Sequence, residues 1–262
     1  AQSSPMETTR STDDEKRIGT AAPGAWLGRL GVGFRGFSRT FQWSGNPSNN
    51  LADYNLVLGP SIAVDAQWFP LAHFMTGLPS YFGAYVDSHF ALGVASHLAQ
   101  DESKFGTKIE RHRLGLLFRM PLVSILSVQA HAGYSTQTYA IAQKSADGTT
   151  RPNIPSVEFN GPRAGIGLHL TIIGPLSFEA LGGFQLVTGQ GELASEQYFP
   201  KATAMSVDAS AALSLRLANQ IHLRLGFDWT RYFVTLSAAE GATFFATSAA
   251  DQTLAASLAL EW

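Results

Sequence analysis

Charged and imidazole side chains recur in this chain at every second position, with apolar residues between them. Arg29 and Arg35, Asp65, Asp87 and His89, Arg111 and Arg113, Arg163, Glu179, Asp208, Arg216, Arg224 and Asp228 all stand this way, joined by His131, His169 and His222. In an extended chain, side chains two apart share a face. Opposite charges gathered on such faces in a narrow interior pair with one another, because an unpaired buried charge is heavily penalised. Arg35, Asp87, His89, Arg111, Arg113, Arg163, Asp208, Arg224 and Asp228 are therefore expected to form a charge network. Other chemistry finds less support. His112 lies between Arg111 and Arg113 on the opposite face, and no His-x-Ser occurs, so no nucleophile with a base in reach is located. The histidines lack metal-ligand spacing, and Gly31-Val32-Gly33 does not open a helix as a phosphate loop would. The sequence thus assigns no catalytic, cofactor-binding or metal residue, and implies no cofactor.

Such a network must be positioned by strands. From Ala25 onward, segments of strict alternation are separated by turn-rich breaks. Alternation over Tyr54–Trp68, Phe82–Val94, Arg111–Met120, Leu126–Tyr134, Ala164–Ile172, Leu176–Leu186, Met205–Leu217, Ile221–Thr230 and Asp251–Trp262, with the segment after Ala25, gives about ten strands. Eight or twelve are the alternatives. In the first, Trp26, Leu30, Val32 and Phe34 oppose Arg29, Gly31, Gly33 and Arg35; Phe37 and Phe41 then fall on the polar set, so a bulge near Gly36 is expected. Pro60 inside the second strand removes a ladder donor. Gly165, Gly167, Gly182 and Gly183 read as strand glycines that allow curvature or close packing. Breaks alternate long and short, with one exception, the apolar Phe69–Ser80. Residues 1–24 lack periodicity and carry both charge signs, which reads as a flexible tail ahead of a barrel at 25–262.

Composition fits. In 262 residues, 45% are hydrophobic but only 15% are charged, and no apolar run is long enough for a membrane helix. Alternation dilutes the hydropathy of a transmembrane barrel in just this way. The absence of cysteine excludes disulfides and thiol chemistry, and a net charge of −2 argues against nucleic-acid binding. The sequence opens at Ala1-Gln2, which reads as a mature form.

The last strand carries the most specific signal. Leu254, Leu258, Leu260 and Trp262 are apolar at alternating positions and end in an aromatic. This resembles the C-terminal assembly signal of Gram-negative outer-membrane β-barrels, which usually end in Phe. The resemblance implies an all-β fold, a transmembrane antiparallel up-and-down β-barrel in the bacterial outer membrane. It also implies outer-membrane lipids and the barrel-assembly machinery as partners, with both termini periplasmic and the long loops extracellular. Two aromatic belts agree: Trp26, Trp68, Phe118 and Trp262 near one end, and Phe41, Trp43, Tyr54, Trp229 and Phe233 near the other. A soluble sandwich or lipocalin-like barrel would need no such asymmetry of loops.

Barrels without a fused soluble domain serve as envelope-stabilising proteins, adhesins, narrow channels and anchors. A charged lumen argues against free flow, so the expectation is a structural or anchoring component of an envelope complex, such as motility or secretion machinery. Residues 1–24 and 69–80 are the expected contacts with other envelope proteins, with Leu71, Phe74 and Met75 as the docking turn. The alternative is a narrow channel for small solutes. Enzymes of this class are the remaining alternative: omptin-like proteases keep carboxylates and an Asp-His pair at the external rim. The rim here offers His97 beside Asp101 and Glu102, with Glu240 and Asp251 elsewhere, but neither Asp-x-Asp nor Asp-x-His there.

Overall fold

The computed structural model describes residues 27–47, 50–97, 104–145, 148–150, 154–238 and 243–262, so the tail at 1–24 and Trp26 lie outside the described residues. Ten long strands form: β1 (Gly28–Ser44), β2 (Tyr54–Trp68), β3 (Phe82–Ala91), β4 (Lys104–Val123), β5 (Leu126–Ile141), β6 (Val157–Ile173), β7 (Leu176–Val187), β8 (Thr203–Arg216), β9 (His222–Thr235) and β10 (Ser248–Glu261). Each pairs antiparallel with its neighbours in the chain, and β10 returns to β1 from Gly31↔Glu261 to Ser44↔Ser248. The sheet therefore closes into an up-and-down barrel with no free edge. Connections at one end are short, as at Gly174-Pro175; this is the turn end, and the opposite end is the loop end. Two 3-10 turns, Pro70–His73 and Leu78–Tyr81, make a foot at the turn end between β2 and β3.

Alternation decides which way each side chain points. Leu30, Val32 and Phe34 of β1, Leu114 and Leu116 of β4, Ile166 and Leu168 of β6, and Leu254, Leu258 and Leu260 of β10 are all exposed on the outside. An apolar exterior around a closed barrel is the surface a bilayer requires. Trp68, Phe82 and Trp262 ring its turn-end edge, and Phe233 is exposed toward the loop end.

The phase of β1 departs from expectation. Arg29, Gly31, Gly33, Arg35, Phe37, Arg39 and Phe41 continue one inward row without a slip. The irregularity sits on β2 instead. Between Phe37↔Gly59 and Arg39↔Leu56, two β2 residues, Val57 and Leu58, face Ser38 alone. Such a bulge inverts the phase of one strand only, and it swings Tyr54 inward. Pro60 is tolerated because its carbonyl accepts from the Leu92 N–H just beyond Ala91, where the β2–β3 ladder ends, so little pairing is lost.

The belt expectation for Phe41 and Tyr54 is thereby corrected, since both are buried inside the barrel. They join Phe37, Phe105, Phe159 and Tyr232 in an apolar core that fills the loop-end half of the lumen. The break after β7 folds in to complete it, with Leu193 and Phe199 fully buried. Phe159 stacks on Tyr232 at 4.1 Å and Tyr198 on Phe244 at 5.0 Å. Trp43 packs across Phe41 and Phe199 from the rim. The lumen is not charged throughout: where loops fold inward, inward positions can bury apolar surface as in any soluble core.

Candidate functional site

Beneath the aromatic plug the interior is charged, in three tiers. The uppermost is one pair. Arg39 of β1 donates from Nε and Nη2 to the two carboxylate oxygens of Asp251 of β10 at 2.9 and 2.7 Å. The Arg39 guanidinium lies 3.6 Å from the centre of the Tyr139 ring, with Tyr54 and Phe41 at 5.2 and 5.4 Å. Asp251 was expected at the rim; it is 0% exposed, within the barrel. Its parity with Glu261 on the same strand is the signal that would have found it.

The middle tier holds most of the expected network in two adjoining clusters. In one, His89 Nε2 is 3.1 Å from Asp87 Oδ2, Arg111 donates to Asp87 Oδ1 at 3.3 Å, and Arg35 reaches Asp228 at 3.6 Å. In the other, Arg163 donates through Nε to Asp208 at 2.9 Å and Arg113 lies 3.6 Å from the same carboxylate. Arg163 also donates from Nη1 to His131 Nε2 at 2.6 Å; a guanidinium has no acceptor, so His131 presents its lone pair there. Gly165 and Gly183 face each other across β6 and β7 at this level. A methyl group on either would occupy the space taken by the His131 ring and the Arg163 guanidinium. These two glycines therefore serve close packing. A cavity of about 130 Å³ remains beside this tier.

Arg224 stands apart from the other expected members, in the turn-end tier. Glu179 is the hub there: it accepts from Arg29 and Arg224 at 3.1 Å each and lies 3.7 Å from Arg119. Arg29 also donates to Asp65 at 3.2 Å, and Arg29 and Arg224 both lie 3.5 Å from Glu261. Three guanidiniums (Arg29, Arg119, Arg224) thus face three carboxylates (Asp65, Glu179, Glu261). A cavity of about 360 Å³, lined in part by His169 and His222, lies beside them.

Asp87 and His89 have the Asp-x-His spacing that the rim lacks, but they sit within the lumen beside Arg111 rather than at the rim. Of the rim candidates, Asp101, Glu102, Glu240 and the His97 side chain lie outside the described residues. Leu71, Phe74 and Met75 are exposed on the foot, Phe74 at 82%, while Phe69 and Ala72 turn inward against Leu117.

One contact on the outer face contradicts the absence of a nucleophile with a base in reach. Ser88 of β3 and His112 of β4 are cross-strand partners, and Ser88 Oγ lies 3.1 Å from His112 Nδ1. The two are 24 residues apart, so no local spacing motif could have shown it.

No family model matches the chain, and no curated protein does. Solved structures do. The outer membrane protease OmpT from Escherichia coli superposes with a TM-score of 0.55 over 93% of this chain and 98% of its own, at 8% identity. Ail of Yersinia pestis gives 0.38 at 9% identity, covering 89% of this chain and 99% of its own. The toluene transporter TodX of Pseudomonas putida gives 0.33 at 9% identity, covering 92% and 90%. At such identities the likeness to OmpT is one of fold, that of a closed outer-membrane β-barrel.

Proposed function

We propose that this outer-membrane β-barrel is a structural, non-conducting component of the cell envelope that anchors other envelope proteins, as barrels of motility or secretion machinery do. The plugged interior carries the reading. Aromatic side chains close the loop-end half and ion pairs span the remainder, an arrangement that favours rigidity over passage. In planar bilayers the purified protein is expected to insert without defined conductance steps. Reproducible steps would overturn this reading in favour of the narrow channel.

In this reading the turn end faces the periplasm and the long loops face outward. The foot is then the anchoring contact. The chain leaves the aromatic girdle at Trp68 and rejoins it at Phe82, so Leu71, Phe74, Met75 and Leu78 stand beyond the belt with apolar surface exposed. Apolar surface outside the hydrocarbon is surface left for a protein partner. Replacing Phe74 and Met75 with Ser, or deleting Thr8–Thr20, is expected to reduce co-purification of envelope proteins from solubilised membranes while the barrel keeps its heat-modifiable migration on a gel. Unchanged co-purification rejects the docking role.

A further inference from the structure

We propose that the outer face of the barrel carries a serine hydrolase site for long-chain acyl esters of membrane lipids, with Ser88 as nucleophile and His112 as general base. The site is independent of the lumen and of the anchoring role.

The geometry has the order that nucleophilic catalysis needs. Ser88 Oγ lies 3.1 Å from His112 Nδ1, and the other ring nitrogen, Nε2, is directed at Glu110 Oε2 at 3.9 Å. A carboxylate on the far side of the imidazole favours the proton at Nε2, which leaves Nδ1 as the acceptor facing the hydroxyl. Glu110 is in turn held by Lys108 Nζ at 2.9 Å. The Phe90 ring, 5.1 Å from the imidazole at a steep angle, fixes the His112 side chain from the loop-end side.

The surroundings of the site on the barrel identify the substrate. Outward rows run across the sheet in register: Val86, Leu114 and Tyr134 form one row, and Ser88, His112 and Thr136 form the next toward the loop end. The first row is exposed and apolar to lipid, with Val86 and Leu114 aliphatic. On β4, Leu116 and Leu114 give way to His112, Glu110 and Lys108. Ser88 and His112 therefore form a polar spot on the lipid-facing surface, with Phe90 exposed beyond it toward the loop end. Lipid lies against this face, so a molecule whose acyl chain rests on Val86 and Leu114 brings its ester carbonyl to Ser88. His112 retains 36% of its side-chain exposure, which leaves it open to the leaflet.

In the reaction, Ser88 Oγ bonds to the acyl carbonyl carbon as its proton passes to His112 Nδ1. The adduct expels the lipid alcohol oxygen, which takes that proton. Water then attacks the Ser88 ester and gives a proton to His112; the carbon–Oγ bond breaks, Oγ recovers the proton, and a fatty acid leaves. Glu110 is a positioning residue that orients the imidazole and offsets its transient charge.

The test uses the full-length protein in detergent micelles and an alkyl fluorophosphonate probe, followed by peptide mass mapping. Ser88 is expected to be labelled, and labelling should be lost in Ser88→Ala and fall roughly 10²–10⁴-fold in His112→Ala or the more conservative His112→Gln. Migration on a heat-modifiable gel checks that each variant is folded. Vesicles of phosphatidylethanolamine, with and without lipopolysaccharide, should release fatty acid in at least one case, and the pattern tells which lipid is the source. Glu110→Gln should lower kcat with KM unchanged. A wild-type protein that is not labelled, labelling that survives loss of His112, or labelling with no fatty acid release from either vesicle overturns the proposal.

Discussion

Asp251→Ala is expected to be among the most damaging single substitutions in the barrel, costing about 3–5 kcal/mol. The carboxylate is fully buried and takes two charge-assisted hydrogen bonds from Arg39. Its removal strands a guanidinium between the Tyr139, Tyr54 and Phe41 rings, where little water can reach it. Breaking one half of a buried pair costs far more than replacing both halves, since only the former leaves an uncompensated charge. Arg39→Met combined with Asp251→Leu should therefore recover most of the loss. Urea unfolding in detergent, read as the shift in midpoint at constant slope, measures both. A double variant as unstable as Asp251→Ala would show that the pair does more than satisfy itself.

Glu179→Gln should have an effect of similar size, about 3–5 kcal/mol, for a different reason. The side chain keeps its shape, but the charge shared by Arg29, Arg224 and Arg119 disappears. Three guanidiniums are then left with two carboxylates, Asp65 and Glu261. Adding Arg119→Gln restores the balance and should return part of the stability, a coupling that a double-mutant cycle measures directly. Simple additivity of the two substitutions would mean that Glu179 and Arg119 do not interact, contrary to their 3.7 Å separation.

Parity alone gave the inward orientation of the expected network, whereas the slip expected near Gly36 would have turned Arg39 outward. Arg35, Asp87, His89, Arg111, Arg113, Arg163, Asp208, Arg224 and Asp228 all point into the barrel. Their partners were not legible. Asp208 of β8 meets Arg163 of β6 and Arg113 of β4, and these contacts depend on barrel closure and on the stagger of non-adjacent strands. The aromatic plug was missed for a related reason. Phe37 and Phe41 share a row with Arg35 and Arg39. In sequence that row looks like a change of phase, whereas in the barrel it is a change of surroundings along the lumen.

The sequence by itself determined the set of about ten strands, their order around the barrel and, except past Gly36 and around Tyr54, the division into lipid-facing and inward rows, because a period of two is a local property of extended chain and bilayer contact demands one uniformly apolar row. The tertiary structure alone decided the β2 bulge, the plug, the composition of each ion-pair tier and the meeting of Ser88 with His112. These depend on inter-strand register and on how far loops fold into the lumen. Both are set by packing between residues distant in the chain, which no local period encodes.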